Sequence, residues 1–556
     1  MKNPLLYLLF ILTFPPVLSA QYLGGNGGGD ICAAYTGHYF SNWFITNGNW
    51  NTASNWSENS VPGDTDDAFV KAHSTMSGHY TYPNLTIGSS GQLAISFTES
   101  SLTVTGDLIN NGSLLIESNT GGTGSLIHTT SGVSATIQRY INGWSTLPIG
   151  QQATHGWHFI SSPVANQTFV EFPIYTSEND LYKWDETLGL WINRTASGGG
   201  INPAFETTFV TGQGYLIAQS INQVRGFTGS VNVSDMLVSG LTNTSGKTYS
   251  GWHLLGNPFS SALEWNQSGG SWNLSGTMAA NCQIWNEATA SYSIIEPNGI
   301  IPVTNGFMVY TSDNGGSLTI PATARIRNSA NWYKVSDSEN DRIVLTAFDT
   351  EGSTRQQSTI RFHPDATDTF DLPYDSYFIA GYAPMLYSVS NHENYALNTL
   401  SPLTEGRQVP LHFIKNNNHA FILELTQNLP GVIVLLNDLK SGNSQNMSIN
   451  PAYHFTSSTS DDPSRFLITF GNLGIEEEQT TSPFTIFSYE NAIRIMDNTS
   501  KSQGQVFIYD VTGKLIHSQE LSGSAQTRLS LTVSAGIYIV RVISDNHITS
   551  AKIFLQ

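Results

Sequence analysis

The sequence predicts a chain of all-β modules with almost no helix. Three observations carry that expectation. Short apolar or alternating runs recur, such as Ile343-Val344-Leu345-Thr346-Ala347-Phe348, Phe421-Ile422-Leu423-Glu424-Leu425 and Val506-Phe507-Ile508-Tyr509. No long window sustains an apolar 3.6-residue period with capping residues at its ends. Between the runs stand turn formers, with 50 glycines in 556 residues. Hydrophobic residues at 39% and aromatics at 11% supply enough apolar surface for packed cores. Charge is sparse at 12% and acidic in balance, 23 Lys+Arg against 42 Asp+Glu, a net of −19. Such a chain cannot neutralise many phosphates, and an anionic bilayer does not attract it, so nucleic acid is not an expected partner.

Taken in order, residues 1–20 read as a secretory signal. Lys2 precedes the apolar run Leu5 to Leu12, and Ser19-Ala20 supplies a small-residue cleavage site. The run is too short to span a bilayer, and no later stretch is long and apolar enough, so no transmembrane helix is expected. Residues 21–49 begin with Gly24-Gly25-Asn26-Gly27-Gly28-Gly29, a flexible lead that completes no dinucleotide fingerprint. Residues 50–139 carry the steps Leu85-Thr86-Ile87, Leu93-Ala94-Ile95, Leu102-Thr103-Val104 and Leu114-Leu115-Ile116, separated by Gly or Asn turns. These fit a short β-solenoid, with an antiparallel meander as the alternative.

Residues 140–330 contain a duplication. Gly156-Trp157-His158-Phe159-Ile160-Ser161-Ser162-Pro163 aligns with Gly251-Trp252-His253-Leu254-Leu255-Gly256-Asn257-Pro258. Each is followed by an aromatic strand around a tryptophan (Trp184, Trp285) and then by a G-[YF]-x-[IV] step at Gly214 or Gly306. The two β units run over 140–235 and 236–330. All 12 tryptophans lie between Trp43 and Trp332, so the module type changes there. Residues 331–470 read as a β-sandwich, 471–483 as an acidic connector with Glu476-Glu477-Glu478, and 484–556 as a small terminal β module.

The terminal module has a strand ending in Asp510-Val511-Thr512-Gly513-Lys514, a Gly536-Ile537-Tyr538 strand, and a last strand around Lys552. Gly513 suits the positive φ of a tight turn, and the Asp510 side chain can bond the turn backbone. In order and spacing it resembles the type A C-terminal sorting domain of the Type IX secretion system of Bacteroidota. The resemblance implies export in two steps, handling by the Type IX machinery, and delivery outside the cell or to the outer-membrane surface. On the same ground Asp510, Gly513, Lys514, Gly536, Tyr538 and Lys552 are the expected export-signal residues. Less specifically, Trp50-Asn51-Thr52-Ala53-Ser54-Asn55-Trp56-Ser57 followed by Val61-Pro62-Gly63-Asp64 resembles the start of large surface proteins of the same bacteria. That group has no agreed biochemical activity.

Chemistry is harder to find. No G-x-S-x-G elbow exists, and His392-Glu393-Asn394-Tyr395-Ala396 lacks the second histidine of a zincin. His155 and His158 flank Gly156-Trp157, and only His158 has a counterpart in the duplicate. Cys32 and Cys282 are too few for a disulfide framework, and their pairing stays open. Asp64, Asp66 and Asp67 are weak calcium candidates that also suit an ordinary acidic turn, as do Asp365, Asp368, Asp371 and Asp375. No catalytic residues and no cofactor are expected. Trp184, Trp191, Trp265, Trp272 and Trp285 could face sugar rings, or fill the cores of the duplicated units. The expectation is a secreted or surface-displayed, non-enzymatic protein of the adhesin or structural class, contacting glycan or matrix. The alternative is an enzyme, or an accessory module, acting on extracellular polysaccharide.

Overall fold

A computed structural model describes residues 42–556 except 98–99, 149–150, 173–178, 328–340, 351–353, 473–483, 490, 498–502, 545–546 and 556. The expected leader 1–20, most of the lead with Cys32, and nearly all of the 471–483 connector lie outside the described residues. Among those described, strands dominate and helix is confined to a few short turns.

The first region is a three-sided parallel coil. Ala68–Val70, Leu85–Ile87 and Leu108–Asn110 stack in register on one side. His73–Met76, Gln92–Ile95 and Ser113–Ile116 stack on the second. His79–Tyr82, Ser101–Val104 and Ser125–Ile127 form the third. Every pairing among these nine strands is parallel, which removes the meander alternative. The steps at Leu85, Leu93 and Leu102 are therefore successive sides of one turn. Leu93 lies against Leu114, 21 positions later, so one turn takes about 21 residues at that corner. The apolar residues of each step, Leu85, Ile87, Leu93, Ile95, Leu102 and Val104, are buried in one core. Glycine is required where corners stack: a Cβ on Gly112 would sit 2.1 Å from the Gly91 carbonyl oxygen.

The coil starts earlier than the sequence led us to expect. Asn42–Phe44, inside the stretch read as a lead, pairs in parallel with Ala68–Val70. Trp50 and Trp56 from the W-N-x-x-x-N-W-S motif then seal this end. They are fully buried, meet edge to face at 4.7 Å, and pack on Phe44. The Trp50 indole donates to the Tyr82 hydroxyl (2.9 Å) and the Trp56 indole to the Trp50 carbonyl (2.8 Å). At the other end, Ser134–Ile141 is both a parallel rung on Ser113–Ile116 and the antiparallel partner of Gln223–Ser230. The first β unit thus grows directly out of the coil.

The two units share one topology. In the first, the strand order is Trp157–Ser161, Gly214–Ala218, Asp180–Asp185, Leu190–Asn193. In the second it is Trp252–Gly256, Gly306–Thr311, Met278–Asn286, Ser291–Ile295. Next comes an eleven-stranded sheet folded over a core that includes Ile343, Leu345, Leu411, Phe421 and Ile468. Its two antiparallel halves join where Arg355–Phe362 pairs in parallel with Glu393–Leu400. The last module has a three-stranded and a four-stranded sheet over Ile493, Val506, Val540 and neighbours.

Candidate functional site

The duplicated units hold each other by a reciprocal exchange. The Trp184 indole of the first donates to the Trp252 carbonyl of the second at 2.7 Å. The Trp285 indole of the second donates to the Trp157 carbonyl of the first at 2.8 Å. The glutamates two positions on from these indoles cross over as well. Glu287 meets His158 of the first unit at 2.5 Å and Arg139 of the adjoining coil rung Ser134–Ile141 at 3.3 Å, both buried. Glu186 accepts from the Thr244 amide (2.6 Å) and hydroxyl (2.8 Å), the Gly251 amide (2.9 Å) and the Thr242 hydroxyl. Burial opposes the charge on Glu186, but these donors outweigh it and hold its pKa below the ordinary value. The G-W-H and W-[DN]-E positions of the sequence are thus the two halves of a pseudo-twofold lock.

On either side of this lock each unit presents an equivalent sheet face, and the two are used differently. In the second unit the face is covered by the segment 372–379 of the following module. The Asn281 side-chain amide donates to the carbonyls of Tyr374 and Asp375, both at 3.1 Å. The Gln283 amide donates to the Ser376 hydroxyl (2.8 Å) and the Tyr377 carbonyl (2.7 Å). Ile379 packs with Trp252, Leu254 and Met308. The segment also carries a buried carboxyl. Desolvation pushes the pKa of Asp375 up to about 7, although the amides of Asp371 (2.7 Å) and Thr399 (2.6 Å) donate to it.

In the first unit the matching face borders a cavity of about 410 Å³. Its walls are Trp157, Tyr182 and Trp191 from the first unit, Trp285 and Tyr292 from the second, and Tyr382 from the covering segment. Phe159 and Leu216 line it from the sheet, and Ala380 and Gly381 complete it. The segment is fixed here by its backbone. Tyr382 and Ala383 amides donate to the Ala290 carbonyl (2.9 and 3.1 Å), and the Ala380 amide donates to the Tyr249 hydroxyl (3.1 Å). At the positions of Asn281 and Gln283 the first unit has Asp180 and Tyr182. The Asn193 side-chain amide donates to the Asp180 carboxylate at 3.1 Å. Burial and then the Asp180 charge raise the Tyr182 pKa; burial raises that of Tyr292.

Residues 43–297 and 270–470 match the family described as "Domain of unknown function (DUF8693)". The chain belongs to the DUF8693 family. Residues 489–556 of this DUF8693 chain match the "Secretion system C-terminal sorting domain". The tail is thus a Type IX sorting domain, and the protein is a secreted or outer-membrane-surface protein of Bacteroidota type. No curated protein matches the chain. Among solved structures, dimeric latent PorU from Porphyromonas gingivalis overlaps 58% of this chain at 12% identity and a TM-score of 0.13; this chain spans 32% of that one. The BSP domain of a biofilm associated protein overlaps 78% of this chain and 97% of its own at 9% identity and a TM-score of 0.16.

In the sorting domain of this DUF8693 protein the six expected export residues fall near one end of the four-stranded sheet. Asp510 lies opposite Tyr538, Ile539 opposite Lys552, and Gly536 opposite Leu555. The Asp510 carboxylate accepts from the amides of Thr512 (2.9 Å) and Lys514 (3.0 Å), and Gly513 takes φ +83°. The Thr512 hydroxyl, then the Lys514 amide, hold the Asp510 pKa down. The Tyr538 hydroxyl donates to the Ser534 carbonyl (2.7 Å).

The five tryptophans considered for sugar contact separate into two groups. Trp191 and Trp285 line the cavity, and Trp184 meets Trp191 edge to face at 5.3 Å. Trp265 is fully buried in the second unit's own core, 4.9 Å from Trp272, and has no face left for a ligand. Asp66 caps the Gly63 amide (2.8 Å) and Asp67 takes the Asn84 side chain (2.8 Å), as turn carboxylates do. Asp368 is committed to Arg407 (2.6 Å). No cluster of three metal-ligating side chains occurs among the described residues. Trp157, Tyr182, Tyr292 and Tyr382 were not foreseen. Trp157 stands inside the repeated G-W-H, and Tyr182 stands two residues before the repeated tryptophan, so both had a signal. Tyr382 had none.

Proposed function

We propose that this protein is a non-catalytic adhesive protein of the cell exterior, contacting extracellular matrix or glycan through the cavity between its duplicated units. The supporting observation is the unequal use of two equivalent faces: one is filled by the chain itself, the other is left as an aromatic cavity. Aromatic walls give large contact area at low side-chain entropy, which suits capture.

The test pairs binding with turnover. The purified mature chain is incubated with a panel of extracellular polysaccharides and matrix preparations, and retention and released product are scored in the same samples. Retention without product is expected, and it is lost in Trp191→Ala. Release of product would replace this reading with the polysaccharide-acting enzyme. Retention unaffected by Trp191→Ala would remove the cavity from it. Export is tested separately: deletion of 484–556 is expected to strand the protein in the periplasm.

A further inference from the structure

Resting on the reading of the cavity as a capture site, we infer that the group it captures is a methylated ammonium, of the kind borne by choline.

The lining is the first reason. Seven of its ten residues are aromatic, and none is Asp, Glu, Asn, Gln, Ser, Thr, Lys, Arg or His. A bare sugar brings several hydroxyls, and each one buried without a partner costs free energy. The polar edges of two walls are already committed. The Trp157 indole N–H donates to the Ala153 carbonyl (3.2 Å), and the Trp285 indole N–H to the Trp157 carbonyl (2.8 Å). What remains toward the cavity is mainly apolar ring surface, whose faces carry the negative end of the aromatic quadrupole. Several such rings around one site attract a weakly hydrated organic cation.

The second reason is charge. No basic side chain lines the cavity, and the whole chain is −19. The nearest change from the second unit adds negative charge: Asp180 stands where Asn281 stands, and Tyr182 where Gln283 stands. In the second unit those two amides grip a polypeptide backbone. A carboxylate and a phenol cannot donate two amide N–H groups to backbone carbonyls, so the first face has lost the peptide grip. The Asp180 carboxylate instead takes the Asn193 side chain (3.1 Å), and its negative charge stands beside the Tyr182 ring that lines the cavity. Trimethylammonium groups occur on lipid headgroups and as substituents of surface polymers, and both sources present the same chemistry.

The experiment titrates the full mature chain with choline and with 3,3-dimethylbutan-1-ol, its uncharged isostere, reading tryptophan fluorescence and heat. Choline is expected to bind saturably and at least about tenfold more tightly than the alcohol. Asp180→Asn is expected to narrow that ratio, and Tyr382→Ala, at the exposed rim, to weaken choline with the fold intact by circular dichroism. Equal binding of choline and the alcohol would overturn the inference while leaving a capture cavity. Displacement by neutral saccharides but not by choline would do the same. Phosphatidylcholine vesicles and a choline-substituted polysaccharide then separate the sources. Retention by either, abolished by free choline, supports the inference and names the source; retention that free choline leaves intact counts against it.

Discussion

The two faces beside the pseudo-twofold lock differ at few positions and have opposite fates. In the second unit Asn281 and Gln283 point amides at the 372–379 segment, and the face is closed. In the first, Asp180 and Tyr182 take those places, and the same covering chain touches only the rim through 380–382. The locks share the reciprocal indole-to-carbonyl bonds and differ at their glutamates, Glu287 meeting His158 and Arg139 and Glu186 meeting amides and hydroxyls. A duplication thus kept the indole exchange of its joint and left one of two surfaces bordering a cavity, and the joint and the surfaces can be perturbed independently.

The joint carries the largest expected effects. Glu287→Ala leaves Arg139 and His158 buried without their carboxylate, at a cost of about 3–5 kcal/mol, read as a shift in the urea midpoint. Glu186→Ala leaves amides and hydroxyls, not ions, without an acceptor, and about 2–3 kcal/mol is expected. If the lock is reciprocal, each substitution raises hydrogen exchange in both units; a rise confined to one would break the symmetry.

The closed face responds next. Gln283→Ala strips the donor from the Tyr377 carbonyl, costs about 1–3 kcal/mol, and should expose 372–379 to exchange. Tyr182→Ala should leave that segment protected. The covering segment also predicts a pH dependence. The folded pKa of Asp375, about 7, exceeds its ordinary 3.8, so the native state binds the proton more tightly than the unfolded chain. Its contribution to stability is complete below about pH 4 and is lost as pH rises through about 7. Asp375→Asn should flatten that slope; a slope that persists assigns it elsewhere. The open rim comes last: Tyr382 is 46% exposed, so Tyr382→Ala should change stability by less than about 1 kcal/mol while altering binding.

Much of this architecture was legible because it rests on local pattern. The L-x-I steps at Leu85, Leu93 and Leu102 recorded the sides of the coil, although their 8–9-residue spacing marks one side and not one turn. G-W-H and the aromatic strand marked the duplicates, since the positions that join them must recur in both. The site was less legible. Trp191 and Trp265 look alike as letters, yet one faces a cavity and the other a core, and only strand register separates them. Tyr382 reaches Trp285 across about a hundred positions, and no local period encodes that contact. The contrast of Asp180 with Asn281 was present in the sequence, but it acquires meaning only once a backbone is seen to lie on one of them.

The coil is not free to change its length. Its near end is plugged by Trp50 and Trp56, and its far end is continuous with the first unit through Ser134–Ile141. Along its third side the turns also meet the second unit: Arg327 donates to the hydroxyls of Thr103 (3.1 Å) and Thr81, Arg325 to the His128 carbonyl (2.7 Å), and the Leu126 amide to the Ser260 carbonyl (2.9 Å). Splicing in one more turn at a stacked corner such as Gly112 would lengthen the coil by about 4.8 Å and pull Thr81 and Thr103 out of step with Leu126 and His128, so the second unit could not keep both sets of bonds. The number of turns in the coil is therefore set by three neighbours at once: the aromatic plug, the first unit that continues it, and the second unit that braces its side.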